Sequence, residues 1–513
     1  MTQGIYPLTS PVVDLRMESA GGSPTNVHRT LMIGVGRYKT SGGAELAIEH
    51  GVTPNTIEAL VDEHSELALA AARFWTFNKT GPLDLLTITE THDSAGDQRA
   101  EALIELEQIN GSTVAGAMPF YFCDEAFSFS ITVAKEEAIN SVYGKILTAI
   151  NGLGIGFTAV ATDAGDAVKV TAPGGSNFDG LRIFLEHHGV GLKMTEDYAE
   201  FSGAVTNRPT DLQISAFLAG LTQNQYDTVI FSENQPQEPI LAWLNDMYHT
   251  RNAITAASGF SLVKGSYASV VATANALNSP SLTLFGSPDN AAMAAWPLLL
   301  LAEFAAKRAA RLTDGADLTG ITLDAGERTG GLDKASLPYH NTPMNYQWLY
   351  GEGLNLEELT AAYAAGVSFL VPAPGGLVLG EMVTTYKKDG AGLADETFHY
   401  LNAIDCTFAV QQYFFDQLKS RFAQSRATAG AVVGSGVSNP ALVASYLDTL
   451  YTELAEQKVV QGGSAALQAF KANRTVTLSG NVYTVNAKVA IMAQFRQISG
   501  VVTISYDFTN GVA

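Results

Sequence analysis

The chain has 513 residues, of which 46% are hydrophobic and 16% charged, and 51 acidic against 30 basic residues give a net charge of −21. Globular proteins average ~25% charged residues, so this chain can bury large cores, and its low charge also suits a surface partly covered by other copies of itself. The acidic excess argues against nucleic-acid binding, because phosphate backbones repel it, and its ordinary explanation is solubility.

The first residues, 1–25, are rich in Pro, Ser, Thr and Gly around one short apolar piece that contains Val12, Val13 and Leu15. They predict an extended arm outside any core. A buried strand, an amphipathic helix and a second buried strand follow, over 29–36, 57–75 and 83–89. This strand–helix–strand order predicts an α/β layer with a parallel sheet.

From about residue 98 the pattern changes to short alternating strands separated by turn residues, with one helix near 135–150. The α/β pattern resumes with a strand over 226–232. We therefore interpret 98–207 as a β-rich module inserted in a discontinuous α/β core domain formed by 26–97 and 208–495. A prior of roughly 150 residues per domain suggests about three modules for a chain of this length.

The second half of the core alternates helices and strands. A strand is predicted over 281–286, and a buried helix that contains Pro297 over 290–312. A strand pair turns at Pro374-Gly375-Gly376, and a long amphipathic helix follows. One face of that helix carries apolar residues, namely Ile404, Phe408, Phe415, Leu418 and Phe422. The residues predicted to face away are Asp405, Gln412, Asp416 and Lys419.

The last elements are a helix over 441–460, a hairpin over 475–495 and a terminal strand. Alternation in that strand places four side chains on one face, namely Val502, Ile504, Tyr506 and Phe508. A strand at a chain end is free to pair outside its own domain, so residues 496–513 are predicted to form a C-terminal arm. The fold class predicted is α/β (α+β), with a discontinuous core, an inserted module and two extended arms.

Cys123 and Cys406 are far apart and in no metal-ligand or CxxC spacing. They predict two buried thiols in a reduced, cytoplasmic fold. The start of the chain lacks a secretion-signal pattern, and the longest apolar run, 291–302, is well short of the ~20 residues that a spanning helix needs. We expect a soluble protein that is not exported in free form and does not insert directly into a membrane.

Gly34 and Gly36 stand at the end of the predicted strand over 29–36, where a dinucleotide-binding loop would begin. The full pattern requires a third glycine where this chain has Lys39, so a tight strand-to-helix loop is the favoured interpretation. No phosphate-binding loop, HExxH or GxSxG motif is present. The sequence predicts no cofactor, no metal and no catalytic residue.

Three further groups of residues have both a functional and a plain structural interpretation. His187 and His188 are neighbours on a strand and point to opposite faces, so they cannot jointly hold a metal. The carboxylates of Glu101, Glu105 and Glu107 share one strand face, which is read as a solvated surface although paired carboxylates can do acid–base work. The cations near the end of the long helix either complement the helix dipole or form a basic contact face for an acidic partner, and they are Lys419, Arg421 and Arg426.

The run over 376–424 resembles the C-terminal domain of contractile phage tail sheath proteins, in which a strand ending in "ITTY" leads through an acidic loop to a long helix with "R/K-x-R-F". The matching residues are Val383, Thr384, Thr385, Tyr386, Asp395, Lys419, Arg421 and Phe422. The resemblance is good over 366–508 and looser over 29–286. The N-terminal half, including the inserted module, is similar to the Mu-like branch of the family. The first residues lack that family's "PGVYV" opening.

The resemblance implies a structural subunit that forms homo-hexameric rings stacked helically around a tail tube protein, with further contacts to baseplate and tail terminator proteins. It implies that Val12, Val13 and Leu15 of the first arm add strands to neighbouring subunits, and that four residues of the second arm do so too, namely Val502, Ile504, Tyr506 and Phe508. The core would lie near the tube and the inserted module outside. Lys419, Arg421 and Arg426 are the weaker candidates for the tube contact.

The resemblance also implies a virion location, in the phage tail, after assembly in the host cytoplasm. It implies no direct contact with nucleic acid, and contraction by rigid-body rearrangement of packed domains. Two alternatives stay open. One is the sheath of a bacteriocin-like or secretion injection particle, which the same subunit physics would serve. The other is a nucleotide-dependent α/β enzyme using the loop at Gly34 and Gly36.

Overall fold

The computed structural model covers most of the chain. It describes residues 12–15, 27–39, 45–91, 98–109, 111–122, 127–175, 177–185, 190–205, 208–221, 226–232, 237–250, 257–289, 291–293, 296–313, 316, 330–335, 337–346, 348–351, 353–422, 424–431, 435–479 and 482–491. The first elements are β1 (Val12–Leu15), β2 (Thr30–Lys39), β3 (Glu45–Glu49), α1 (Ile57–Leu60), α2 (Glu66–Phe77) and β4 (Leu83–Thr91).

Short strands and one helix follow. They are β5 (Glu101–Ile104), β6 (Leu106–Gln108), β7 (Gly116–Phe122), β8 (Phe127–Val133), α3 (Ile139–Gly152), β9 (Thr158–Ala161), β10 (Val168–Thr171), β11 (Arg182–Leu185), β12 (Leu192–Met194) and β13 (Tyr198–Glu200). They form three small antiparallel sheets, ordered β5-β10-β9, β13-β11-β7-β8 and β12-β6.

Helices and strands then alternate. They are α4 (Asp211–Gly220), β14 (Thr228–Phe231), α5 (Gln237–Thr250), β15 (Ser258–Gly265), α6 (Tyr267–Ala276), β16 (Leu282–Pro288), β17 (Ala291–Met293), α7 (Pro297–Leu312), β18 (Pro343–Met344), β19 (Trp348–Gly351), α8 (Leu356–Ala365), β20 (Val367–Ser368), β21 (Leu370–Ala373) and β22 (Gly376–Leu379), with a 3-10 turn at Leu332–Lys334.

The last elements are α9 (Leu401–Phe422), β23 (Arg426–Ala427), β24 (Val437–Ser438), α10 (Pro440–Glu456), α11 (Ser464–Asn473), β25 (Thr475–Ser479) and β26 (Val482–Asn486). Five of the described helices begin with a side-chain cap that accepts a backbone N–H three residues on. The capping residues are Ser65, Thr210, Ser266, Asn355 and Asn439.

One seven-stranded sheet organises the core, in the order β20-β16-β15-β14-β2-β4-β3. Its neighbours run parallel except β3, which pairs antiparallel with β4 at the edge. Side chains of β2 alternate between the two faces, as the period of a strand requires. Met32 packs with α2 and α7 on one face, whereas Leu31 and Ile33 pack with α4, α5, α6 and α8 on the other. Strands covered on both faces read as continuous apolar runs.

The β-rich region of β5–β13 packs directly on this sheet. Trp296, at the start of α7, is buried in the hydrophobic cluster of that region, 5.5 Å from the Phe178 ring. Arg182 of β11 donates to Asp289, which follows β16, at 3.0 Å. Tyr38 of β2 accepts from Asn177 at 2.8 Å. The apolar and polar contacts together attach the region at three separate places.

The C-terminal elements have a hydrophobic cluster of their own. Phe414 and Leu418 of α9 pack there with Leu447 of α10, Phe470 of α11 and Tyr483 of β26. α9 also reaches back to the core, because Leu401 belongs to the cluster of α2 and α7. One helix of 22 residues therefore connects the parallel sheet to the C-terminal sheet.

The mixed α/β class predicted from the sequence is confirmed, and several predicted boundaries are wrong. The helix predicted over 57–75 is two helices, because Ser65 caps a second helix that starts at Glu66. The helix predicted over 290–312 is a strand, β17, followed by α7, and Pro297 stands at the helix start and not inside it. Proline is favoured there because the first N–H of a helix has no intrahelical acceptor.

Val383 to Tyr386, which match the strand ending of the family pattern, do not form a strand in the structure. β22 ends at Leu379, and Val383 to Tyr386 are buried in irregular backbone. Thr385 donates its N–H to Leu282 O at 2.8 Å, and Tyr386 donates its hydroxyl to Asp395 at 2.6 Å. These residues therefore link the parallel sheet to the loop that precedes α9.

Candidate inter-subunit interface

The terminal sheet joins the two ends of the described chain. β1 pairs antiparallel with β26, from Val12 opposite Asn486 to Leu15 opposite Tyr483, and β25 pairs on the other side of β26. The first-arm residues predicted to pair between subunits, Val12, Val13 and Leu15, therefore lie in an edge strand that is paired within one chain. Their pairing with another copy stays a prediction.

The second-arm residues, Val502, Ile504, Tyr506 and Phe508, lie outside the described residues. In the terminal sheet β26 is the central strand. Tyr483 and Val485 are buried against the C-terminal cluster, and the Tyr483 hydroxyl lies 3.0 Å from Ser438 Oγ. Without β1, one row of β26 backbone groups would lose its partners, which is the condition that lets an edge take up a strand.

The three basic candidates lie around the end of α9 but not on one face of it. Lys419 Nζ lies 5.8 Å from the Phe415 ring of its own helix, and the Arg421 guanidinium lies 4.6 Å from the Tyr446 ring of α10. Residues two apart on an α-helix project ~200° apart, so Lys419 and Arg421 leave α9 on opposite sides. Arg426 is exposed in β23. A tube contact by these residues stays a prediction.

Asp405 does not face away from the core, as the helical pattern predicted, but is buried in a bidentate pair with Arg308 of α7. Tyr339 donates its hydroxyl to the same carboxylate. Arg308 also donates to Asp227 O at 3.1 Å and to Ser258 Oγ at 3.3 Å, at the starts of β14 and β15. This buried ionic junction therefore joins the parallel sheet, α7 and α9.

Burial shifts the pKa values of two neighbours of the junction, His28 and Asp227. Burial, and then the charge of Arg308, lower the pKa of His28 well below its usual value, so His28 Nε2 accepts from Arg308 at 2.9 Å. Burial raises the pKa of Asp227 to about 6, against the effect of the hydrogen bond from Arg29 N. Arg308 and Asp405 are thus the ion pair at the centre of the junction, with His28 beside it in its neutral form. The sequence contains one ambiguous signal for this ion pair, namely a charged residue, Arg308, within an apolar, alanine-rich helix.

The interpretation of Gly34 and Gly36 as a loop is wrong, because both lie inside β2. A Cβ on Gly34 would meet Leu298 at 2.9 Å, and one on Gly36 would meet Thr87 at 2.6 Å. Close approach of helices and strands, not a bound phosphate, explains both glycines.

The carboxyl edge of the parallel sheet holds a buried acid. Glu66, the first residue of α2, accepts from Val35 N at 3.1 Å and is fully buried. Burial raises its pKa to about 7, against the lowering effect of the hydrogen bond that it accepts from Val35 N. A ligand phosphate in such folds commonly occupies a helix N-terminus at this edge. Here the chain places its own carboxyl group there.

The remaining candidates have structural partners. Glu101 is paired with Lys169 at 3.0 Å, and Glu107 with Lys193, all on the exposed side of the β-rich region. His187, His188 and Cys123 lie outside the described residues. Cys406 is buried, and burial raises the pKa of its thiol to about 12. Across the described ranges no group of three His, Cys, Asp or Glu side chains could hold a metal ion.

Among the described helices, none has the length and apolarity needed to cross a membrane. No protein-family model and no curated protein matches the chain. Among solved structures, it is similar to the sheath tail protein of Desulfitobacterium hafniense, with 10% identity over 94% of this chain and 97% of that chain and a TM-score of 0.45. It is also similar to a sheath tail protein of Listeria innocua, with 9% identity over 93% of each chain and a TM-score of 0.41. At these identities no residue role passes from either protein to this chain.

Replacing Glu66 tests the buried acid. Below about pH 4.5 the carboxyl is protonated in the folded and unfolded states alike; between 4.5 and about 7 only the unfolded state releases its proton, so stability falls as pH rises. At ~1.4 kcal/mol per pKa unit, Glu66→Gln should gain up to about 3 kcal/mol relative to the wild type between pH 4.5 and 8. Urea unfolding across that range measures it, with exposed Glu63→Gln as the control. A difference in unfolding free energy between E66Q and the wild type that does not change with pH would contradict the raised pKa of Glu66.

Removing one partner of the ionic junction should be severely destabilising. Asp405→Leu leaves Arg308 buried without its counter-ion, at a cost of ~3–5 kcal/mol, whereas the double variant with Arg308→Met should recover most of the loss. Urea unfolding of both variants measures the coupling. The exposed ion pair between Glu101 and Lys169 gives a matched control. Glu101→Gln should lower the free energy of unfolding by less than ~1 kcal/mol. Equal losses in the single and double variants would rule out a coupled pair.

Proposed function

We propose that this chain is the structural subunit of a contractile tail sheath, from a Mu-like myophage or a related particle. The observation that carries the proposal is the edge pairing of β1 with β26, segments near opposite ends of the sequence. The sequence resemblance over 366–508 supports it independently, because its residues, such as Thr385 and Tyr386, are buried parts of the core.

A strand attached in this way can be exchanged between copies. Residues 16–26 separate β1 from the next described segment, and eleven residues reach roughly 35–40 Å when extended. The same backbone bonds form whether β1 pairs with its own β26 or with that of a neighbour, so exchange costs little. At ~0.5–1.5 kcal/mol net per hydrogen bond, a four-residue strand contributes a few kcal/mol per subunit.

The second arm is proposed to act in the same sheet. β25 forms the edge opposite β1, and residues 500–508, an alternating strand by sequence, begin soon after β26. Two exchanged strands per subunit would make a continuous mesh. Head-to-tail contacts that do not close a ring produce a helical array, in accord with hexameric rings stacked around a tube.

Contraction in this proposal is a rearrangement of rigid subunits that stay joined by their arms. The energy comes from better packing in the contracted array, and the motion drives the tube through the host envelope during genome ejection. The partners are other copies, the tube protein, and the baseplate and terminator proteins at the ends. The assembled chain belongs to the virion, in its tail.

A sheath from a bacteriocin-like or secretion particle is the alternative within the same class, and gene neighbourhood separates the two. For the nucleotide-dependent enzyme, a specific observation is unfavourable. Glu66 occupies the helix N-terminus at the carboxyl edge of the sheet, and Gly34 and Gly36 are packed inside β2. Saturable binding of NAD or ATP in a thermal-shift titration would favour the enzyme and contradict the sheath.

Deleting residues 500–513 should leave a folded monomer that no longer polymerises, because the terminal sheet loses the exchanged second arm. Negative-stain micrographs and sedimentation measure assembly, and circular dichroism measures folding. Normal striated tubes from the truncated chain would contradict the arm model.

The first arm can be tested by Val12→Pro together with Val13→Pro. Adjacent prolines remove two neighbouring N–H groups. One of the two points toward β26, so its hydrogen bond to β26 is lost. We expect a strong loss of tubes with thermal unfolding changed by only a few degrees. Ser19→Pro with Ala20→Pro, in the segment between β1 and β2, is the matched control and should assemble normally. Equal assembly of both double variants would remove β1 from the interface.

A further inference from the structure

The loop over 387–395 has a defined conformation maintained by its own hydrogen bonds. Asp389 donates its N–H to Leu393 O, and its carboxylate accepts from the N–H groups of Ala391 and Leu393, each at 2.9 Å. Asp395 donates its N–H to Lys387 O, also at 2.9 Å. The loop therefore keeps one shape in the isolated chain.

The base of the loop is anchored to the core. Lys387 Nζ donates to Ala274 O at 2.8 Å and to Ala365 O at 3.0 Å, carbonyls in the last turns of α6 and α8. A cation suits both sites because helix C-termini carry partial negative charge. Asn278 accepts from the N–H groups of Lys387 and Lys388 at 2.7 and 3.0 Å. The tip of the loop is thus fixed relative to the parallel sheet.

The tip presents one large apolar side chain. Leu393 is 67% exposed, and its neighbours Gly390, Ala391 and Gly392 are small and exposed. Single exposed leucines are common on protein surfaces. Leu393 differs because its backbone is already ordered, so little conformational entropy is lost when it is buried by a partner.

A groove that fits such a side chain lies between α5 and α6. Its volume is about 750 Å³, and its lining is Glu238, Leu241, Ala242, Asn245, Thr273, Ala276 and Leu277. One end adjoins the base of the loop, because Asn245 accepts from Ser279 Oγ at 2.8 Å and Asn278 holds Lys387. The exposure of Leu393 shows that this side chain does not fill the groove of its own chain.

We propose that Leu393 of one copy inserts into the α5–α6 groove of an adjacent copy. Charge complementarity favours a second copy as the occupant, because Lys388 is exposed beside the leucine and Glu238 is exposed on the groove. The surfaces on the two copies differ, so the contact is head-to-tail and propagates. The proposal rests on the sheath function for its geometry, and adds a side-chain contact between cores to the exchanged arms.

Disulfide trapping tests this contact directly. Leu393→Cys chains mixed with Ala242→Cys chains and assembled under mild oxidation should give covalent dimers on a non-reducing gel, and neither variant alone should. Leu356→Cys, at another exposed leucine (80%), replaces Leu393→Cys as the matched control. Tubes that form without a Leu393–Ala242 cross-link, or that cross-link equally from Leu356→Cys, would overturn the proposal.

Charge reversal gives a second readout. Lys388→Glu should raise the concentration needed for assembly several-fold, and adding Glu238→Lys in the same chain should restore it. The contact would be overturned if Lys388→Glu did not change the assembly concentration, or if Glu238→Lys did not restore it. If the wild-type chain never polymerises but Leu393→Cys and Ala242→Cys chains still cross-link, the sheath function alone is contradicted. If neither polymerisation nor the cross-link is seen, both proposals are contradicted.

Discussion

The ion pair between Arg308 and Asp405 is the constraint on which the arrangement of the subunit depends. Both groups are buried, and the guanidinium also reaches the starts of β14 and β15. Burying two charges is costly unless the geometry is good and the remaining hydrogen-bonding groups are satisfied, and here Tyr339, Asp227 and neutral His28 satisfy them. α9 therefore has one position relative to the sheet, and with it the C-terminal cluster and the terminal sheet.

Two strand edges in the molecule are covered in different ways. In the β-rich region, Asn151 donates to Ala159 O at 3.0 Å and accepts from Ala159 N at 2.9 Å, so a side-chain amide occupies the outer edge of β9 as a neighbouring strand would. One side of β26 is covered by a strand of the same chain, β1. Covering an edge in either way pairs the backbone groups to which another strand could otherwise be added.

Local pattern was sufficient for much of the fold. Continuous apolar runs marked β2, β4, β14 and β16, since strands covered on both faces have few polar positions. Predictions from local residue pattern were wrong where packing between distant segments determines the structure. The Gly34-Val35-Gly36 spacing after a strand predicts a loop, yet both glycines serve close packing inside β2. Helical spacing places Asp405 on the outer face of α9, but its carboxylate is buried because its partner, Arg308, lies 97 residues away in sequence.

By itself the sequence determined the class of the fold and the absence of the common phosphate-binding and hydrolase motifs, because these depend on short-range periodicity and residue type. Only the tertiary structure decided which edge takes β1, which charges are buried together, and that Leu393 stands on an anchored loop beside a groove. Those features depend on contacts between residues distant in the chain, and periodicity along one segment carries no information about such contacts.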